Sequence, residues 1–313
     1  LNDSTPARGF IYERLLATAN DKMIELKPNI YYLPGENSSR FPYCACLYLK
    51  GKKMRVLIDA GMGSKNLVPA KEMGIDLLIL THCHIDHRLT RSDIVDVPVW
   101  CHAAEAEFFT DREYFFTSMG LKRSGLELDG LFDFASGAFG IEIDRQLTDG
   151  EPIDLGGITL ETLHTPGHTP GHMAFFIPEH DLLFAGDIDL TPFGPFYGHD
   201  FADIGDFLSS IDRLAEVPAK MVISGHAGPF IDNLPRRFRA YGEVIRSRDR
   251  LLMEELRRPK TIEDFKGGNL FYKTYPDFPD LIRWFELVHI EKHLARLQSR
   301  GKIRLEDGKW VSA

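Results

Sequence analysis

Apolar and polar positions along the chain change period several times, and each change marks a predicted element. Over residues 11–26 (IYERLLATANDKMIEL), Ile11, Leu15, Leu16, Ala19, Met23 and Leu26 fall close to a helical repeat that Pro28 ends, which predicts a helix covering one face of a sheet. From Ile30 the repeat shortens. NIYYLPG and YCACLYLKGKKMRVLIDAGMG read as strands, with Gly51-Lys52-Lys53 turning the second run into a hairpin. DLLILTHCHIDH is a buried strand that breaks into polar residues, and DVPVWCH is another short strand. GGITLETLHTPGH, GHMAFFIPEHDLLFAGDI and AKMVISGHAG repeat that plan, an apolar strand followed by histidine or aspartate in a loop. Between the last two, FADIGDFLSSIDRLAEV has the spacing of an amphipathic helix.

After Pro235 the pattern is mainly helical. Phe238, Tyr241, Ile245, Leu252 and Leu256 mark one face, TIEDF and LIRWFELVHIEKHLARLQSRG predict further helices, and KIRLEDGKWVSA a small hairpin. Short strands alternating with helices and glycine turns predict an α/β layered body. The expected division is an N-terminal helical segment (1–29) packed on a body (30–235), then a C-terminal helical, winged-helix-like extension (236–313). Within the body, 103–140 forms a helical, aromatic-rich insert. Phe108, Phe109, Tyr114, Phe115, Phe116, Phe132, Phe134 and Phe139 there suit core packing, the alternative being a lid over a polar cluster.

Composition narrows the classes. The 313 residues are 43% hydrophobic, enough for a sizeable core, and carry a formal charge of −9, which disfavours a polyanionic partner unless basic residues cluster. One cluster exists: residues 236–260 hold nine Lys/Arg against four acids. Cys44, Cys46, Cys83 and Cys101 are too few for a disulfide scaffold and point to a reducing, cytoplasmic setting. No run is long and apolar enough for a membrane span, and LNDSTPARGF lacks the apolar core of a signal peptide, although a chain that opens at Leu1 leaves an upstream segment open.

The chemistry lies where strands stop. Thr81-His82-Cys83-His84-Ile85-Asp86-His87 puts three imidazoles and a carboxylate in six positions directly after an apolar strand. The strand end projects His82 and His84 to one side, and the turn beyond brings Asp86 and His87 to a second position. Imidazole and carboxylate suit zinc or another first-row divalent ion, and no thiolate is needed. Further ligands for two centres are available from His164, His168 and His172 in HTPGHTPGH, from Asp187 and from His226.

LIDAG (57–61), THCHIDH (81–87), HTPGHTPGH (164–172), FAGD (184–187) and SGHAG (224–228) together resemble the metallo-beta-lactamase superfamily in order and approximate spacing. The resemblance implies a four-layer αββα sandwich with two metals at one edge. One ion would be held by His82, His84 and His168, the other by Asp86, His87 and His226, with Asp187 bridging. Asp59 would support the site from behind, and His164 and His172 would be supporting residues. Asp187 makes the chain look more like the glyoxalase II, lactonase and endoribonuclease-like branches than like true beta-lactamases. Where the family usually has a residue and two glycines after its Asp-His, Arg88-Leu89-Thr90 follow, so the turn geometry and substrate access are expected to differ.

Two divalent ions, zinc first and manganese or iron as alternatives, would supply a bridging hydroxide to attack a small-molecule ester, thioester or lactone, with Asp86 moving the proton. Phosphodiester cleavage of RNA or a nucleotide is the second reading, resting on the basic cluster and the helix-and-wing pattern. That C-terminal unit equally suits a packing cap or a homodimer contact. A catalytically silent ligand- or partner-binding protein with a metal pocket is a third reading, and an iron redox role a weaker one, since His84 stands where the related oxidoreductase pattern has an acid. Tyr197 and His199, in the loop IDLTPFGPFYGHD, are candidate oxyanion donors that ordinary packing explains equally well, and no membrane partner is expected.

Overall fold

A computed structural model describes residues 23–127, 130, 136–273 and 278–313. Two sheets form its centre. The first contains β1 (Ile24–Lys27), β2 (Ile30–Leu33), β3 (Cys46–Lys50), β4 (Arg55–Ile58), β5 (Leu77–Ile79), β6 (Val99–His102) and β7 (Arg145–Leu147), bonded in chain order. It is antiparallel through β4 and parallel from β4 to β7. The second contains β8 (Pro152–Asp154), β9 (Thr159–His164), β10 (Met173–Ile177), β11 (Leu182–Phe184) and β12 (Met221–Ile223), ordered β12-β11-β10-β9-β8, with only β11 and β12 parallel.

Alternation along the strands builds the layers. In β3, Leu47 and Leu49 face the inter-sheet core, where they join Val56, Ile58, Phe175, Ile177, Phe184 and Ile223; Cys46 and Tyr48 face the opposite way. That outer face of the first sheet is covered by α1 (Ser64–Met73), α2 (Ala106–Thr110) and α3 (Arg112–Ser118). Ala174, Phe176, Leu183 and Val222 on the outer face of the second sheet meet α4 (Ile204–Ala215) and α5 (Leu234–Glu255). The result is an αββα sandwich. Its helical C-terminal region adds α6 (Pro279–Ser299) and the hairpin β13 (Ile303–Glu306) and β14 (Lys309–Ser312), packed with the end of α5 around Leu252, Leu256, Ile290, Leu294 and Ile303. No helix among the described residues is long and apolar enough to cross a membrane.

The expected helix over 11–26 needs correction where it is described. Residues 11–22 lie outside the described residues, but Ile24–Lys27 is a strand, pairing Ile24 with Tyr32 and Glu25 with Tyr31. Leu26 is buried between the sheets, a position that two-residue alternation satisfies as well as a helical repeat does. In the aromatic stretch, Phe108, Phe109, Phe115 and Phe116 are buried core residues; Phe132 and Phe134 lie outside the described residues.

Their core holds a cation. Arg88 is fully buried, its guanidinium 4.5 to 4.8 Å from the rings of Phe109, Phe115 and Phe139, and Nη1 donates to Phe108 O at 3.0 Å. Burial lowers its pKa to about 10. The turn before it is intact: residues 85–87 form one 3-10 turn, and Thr90 donates to Ala60 O through both its N–H and its hydroxyl.

Candidate metal centre

All seven side chains nominated as ligands come together, each carried just beyond the C-terminal end of a strand. His82, His84, Asp86 and His87 follow β5 of the first sheet; His168, Asp187 and His226 follow β9, β11 and β12 of the second. His168 Nε2 lies 2.9 Å from His84 Nδ1 and 3.3 Å from His82 Nε2. Asp187 Oδ2 closes this group at 3.2 Å from His168 Nε2 and 3.6 Å from His82 Nε2. Its other oxygen, Oδ1, lies 2.8 Å from His87 Nε2 and 3.6 Å from His226 Nε2, and Asp86 Oδ2 is 3.2 Å from that same His226 nitrogen. One carboxylate thus divides its oxygens between two donor sets.

The outward nitrogen of each imidazole is engaged, which sets how the inward one points. His87 Nδ1 donates to Asp59 Oδ2 at 2.8 Å, His168 Nδ1 to Phe196 O at 2.8 Å and His226 Nδ1 to Ser39 O at 2.6 Å. Thr81 Oγ1 donates to Asp59 and lies 2.9 Å from His82 Nδ1, while His84 Nε2 lies 2.9 Å from His199 Nδ1. Asp59 adopts φ 64°, a left-handed conformation, and its carboxylate also accepts the Thr81 N–H at 2.8 Å. His172 holds Asp187 by its backbone: Nε2 accepts the Asp187 N–H at 3.0 Å while Nδ1 faces Thr165. His164 instead contacts Pro170 O and stacks on His102.

Two glycines allow this closeness. A Cβ at Gly61 would sit 1.5 Å from Asp86 O, and one at Gly225 would sit 2.7 Å from both Asp187 Oδ1 and the His87 ring.

The donors fit divalent cations. His87 Nε2 and Asp187 Oδ1 are buried without a hydrogen-bond partner among the described residues, although only 2.8 Å apart. With Nδ1 giving its proton to Asp59, a neutral ring would turn its Nε2 lone pair toward a carboxylate oxygen, so the contact calls for a cation there, either a proton on Nε2 or a metal ion. Burial, reinforced by neighbouring imidazoles, pushes His82 and His84 well below the usual range and keeps them neutral donors. Asp187 is held well below the carboxylate range: burial opposes this, but His87, His226 and His82 outweigh it. Burial also opposes charge on His87 and His226, yet Asp187, with Asp59 for the first and Asp189 for the second, raises both, so protons stand in where a cation would compete.

Asp189 escaped sequence reading, and the two-residue spacing from Asp187 was its only signal. Its Oδ1 accepts the His226 N–H at 3.0 Å, and burial beside Asp187 raises its pKa to about 6. Tyr197 is turned away from the centre, fully buried, with its hydroxyl 2.8 Å from both His293 Nε2 and Arg248 Nη1. His199 sits behind His84.

Sandwich, strand-end donors and the divided carboxylate define a metal-dependent hydrolase with a site for two divalent ions. The Metallo-beta-lactamase superfamily model matches residues 40–226, and the chain belongs to that superfamily. Beta-lactamase-like protein 2 homolog of Caenorhabditis elegans is 24% identical over 308 residues, covering 95% of this chain and 90% of the relative. Lactamase-like protein adaB of Aspergillus niger is 27% identical over 280 residues, covering 83% and 76%. Among solved structures, a metallo-beta-lactamase family protein of Thermus thermophilus shares the fold with a TM-score of 0.74 at 24% identity, over 92% of this chain and all of that one. A beta-lactamase domain protein of Burkholderia ambifaria does so at 0.71 and 17%, over 93% and 95%.

Proposed function

We propose that His82, His84 and His168 hold one divalent ion, that Asp86, His87 and His226 hold the second, and that Asp187 is shared. The protein then hydrolyses a small-molecule ester, thioester or lactone. The division of Asp187 between the two donor sets carries this reading. Zinc suits a set of imidazoles and carboxylates, with manganese or iron as the alternatives. When bound, such a pair lowers the pKa of water and polarises the oxygen of the group under attack.

This chain's own residues orient the reactants. His226 is the most exposed of the seven, its side chain 19% exposed against 9 and 8% for Asp86 and Asp187 and 0 to 1% for His82, His87 and His168, which supports an approach of substrate from its side. Asp86 there accepts the proton of the attacking water. Asp59 keeps His87 aimed, as Ser39 O does His226.

The carbonyl preference is supported by that entrance. Phe41, two residues beyond Ser39, is exposed and meets the exposed Phe278 edge to face at 5.9 Å, an apolar rim suited to an acyl group. Six of the nine basic residues in the cluster are paired with acids or buried, which weakens the case for a polyanion. Arg237, Arg239, Arg246, Arg250 and Lys260 pair with Asp232, Glu216, Asp212, Glu243 and Glu255, and Arg248 is buried.

Hydrolysis of chromogenic esters, thioesters and lactones by the metal-loaded protein tests the reading. It is expected to vanish on chelation and return with Zn²⁺ or Mn²⁺, and cleavage of phosphodiesters alone would overturn the carbonyl assignment. Asp86→Asn is expected to lower kcat by about 10² to 10⁴; a variant holding both ions at full turnover would refute the proton role.

A further inference from the structure

We infer that His199 is a positioning residue of the metal centre, fixing the tautomer and aim of His84 as a neutral acceptor held in place by the C-terminal helix α6. This rests on the assignment of His84 as a ligand. His84 Nδ1 belongs to the converging donor set, 2.9 Å from His168 Nε2. A nitrogen that offers its lone pair there leaves the ring proton on Nε2, and Nε2 lies 2.9 Å from His199 Nδ1. His199 must therefore accept at Nδ1 and carry its own proton on Nε2.

The surroundings of His199 are built to hold it. It is 2% exposed, with the rings of Phe196, Phe201 and Phe285 at 4.9, 5.3 and 5.0 Å. A Cβ on the preceding Gly198 would lie 2.8 Å from Phe285 Cβ and 2.9 Å from His289 Cε1, so the loop can approach α6 this closely only with glycine there. His289 Nε2 accepts the Tyr197 N–H at 3.0 Å, Arg248 donates to Pro195 O at 2.8 Å, and Lys292 donates to Asp200 O at 3.0 Å.

The loop's inward groups meet three of the nominated ligands. Phe196 O takes the His168 proton, Asp189 the backbone N–H of His226, and His199 the His84 proton. An imidazole partner differs from a carboxylate in being uncharged and in accepting at one atom, so it fixes direction without adding negative charge behind the ligand.

The test compares His199→Leu, which fills much of the space without an acceptor, with His199→Asn, whose amide oxygen can reach the Nδ1 position. Zinc affinity and stoichiometry are read by competition with a chromophoric chelator, and the geometry of the site by the visible spectrum of the Co²⁺-loaded protein. The leucine variant is expected to bind one of the two ions about 10- to 100-fold more weakly with an altered cobalt spectrum, and the asparagine variant to recover most of both. Should the leucine variant not fold, His199→Gln, whose amide oxygen cannot reach that position, takes its place. Wild-type affinity and spectrum without an acceptor would overturn the inference, as would equal impairment of both variants, the mark of simple packing. Wild-type protein that takes up fewer than two ions would overturn the ligand assignment beneath it, a result visible before any variant is made.

Discussion

Asp59, Gly61 and Gly225 show how individual positions create the site without touching substrate. Asp59 accepts the left-handed conformation that short polar side chains tolerate, and from there one carboxylate meets Thr81 and His87 together. Gly61 leaves the space in which Asp86 O lies. Gly61→Ala is therefore expected to displace the 85–87 turn, costing about 3 kcal/mol by overpacking and weakening one of the two ions. Urea denaturation with parallel metal analysis checks this; an unchanged midpoint and two bound ions would contradict it. Arg88 directly precedes Leu89 and Thr90, which stand where the family usually has two glycines. Enclosing its guanidinium among phenylalanines, the chain uses a long side chain to support the turn from below.

Among the elements, the loop 188–200 and helix α6 explain why the extension accompanies this metal site. His289 joins them, accepting the Tyr197 N–H at Nε2 while Nδ1 donates to Phe285 O, an arrangement that only the neutral ring can make. Burial, with Arg248 adding to it, lowers its pKa well below 6.5. The unfolded chain thus binds this proton more readily than the folded one. Its contribution to stability is full above about 6.5 and is lost as pH falls toward the folded value. Thermal unfolding of metal-free protein should show Tm declining below that pH, and His289→Gln, which cannot take up a proton, should flatten the decline. An identical slope in the variant would remove His289 as a cause.

On the scale of the whole molecule, the proposed ligands are split between sheets. His82, His84, Asp86 and His87 come from the seven-stranded sheet, His168, Asp187 and His226 from the five-stranded one. Bound ions consequently tie the two halves of the sandwich together, as the short Ala45 N–H to Gly225 O hydrogen bond does at 2.6 Å. Chelation should lower global stability, by about 4 kcal/mol for each ion present at a thousand times its Kd. Denaturation midpoints with and without zinc measure this, and equal midpoints would show that the ions are not held by the folded state.

Much of this was legible along the chain because its causes are local. Strand alternation, the Gly51-Lys52-Lys53 hairpin, the face of α5 and the histidines and acids at strand ends all follow from neighbours within a few residues. The run 24–27 was not, because a strand and a helix satisfy so short a repeat equally and only pairing with β2 decides between them. Tertiary structure alone decided that His199 stands behind His84, that Tyr197 points away, and that Arg239 and Arg246 of α5 meet Glu216 and Asp212. Those outcomes depend on distances between segments as far as 115 residues apart, set by how the sheets and helices pack.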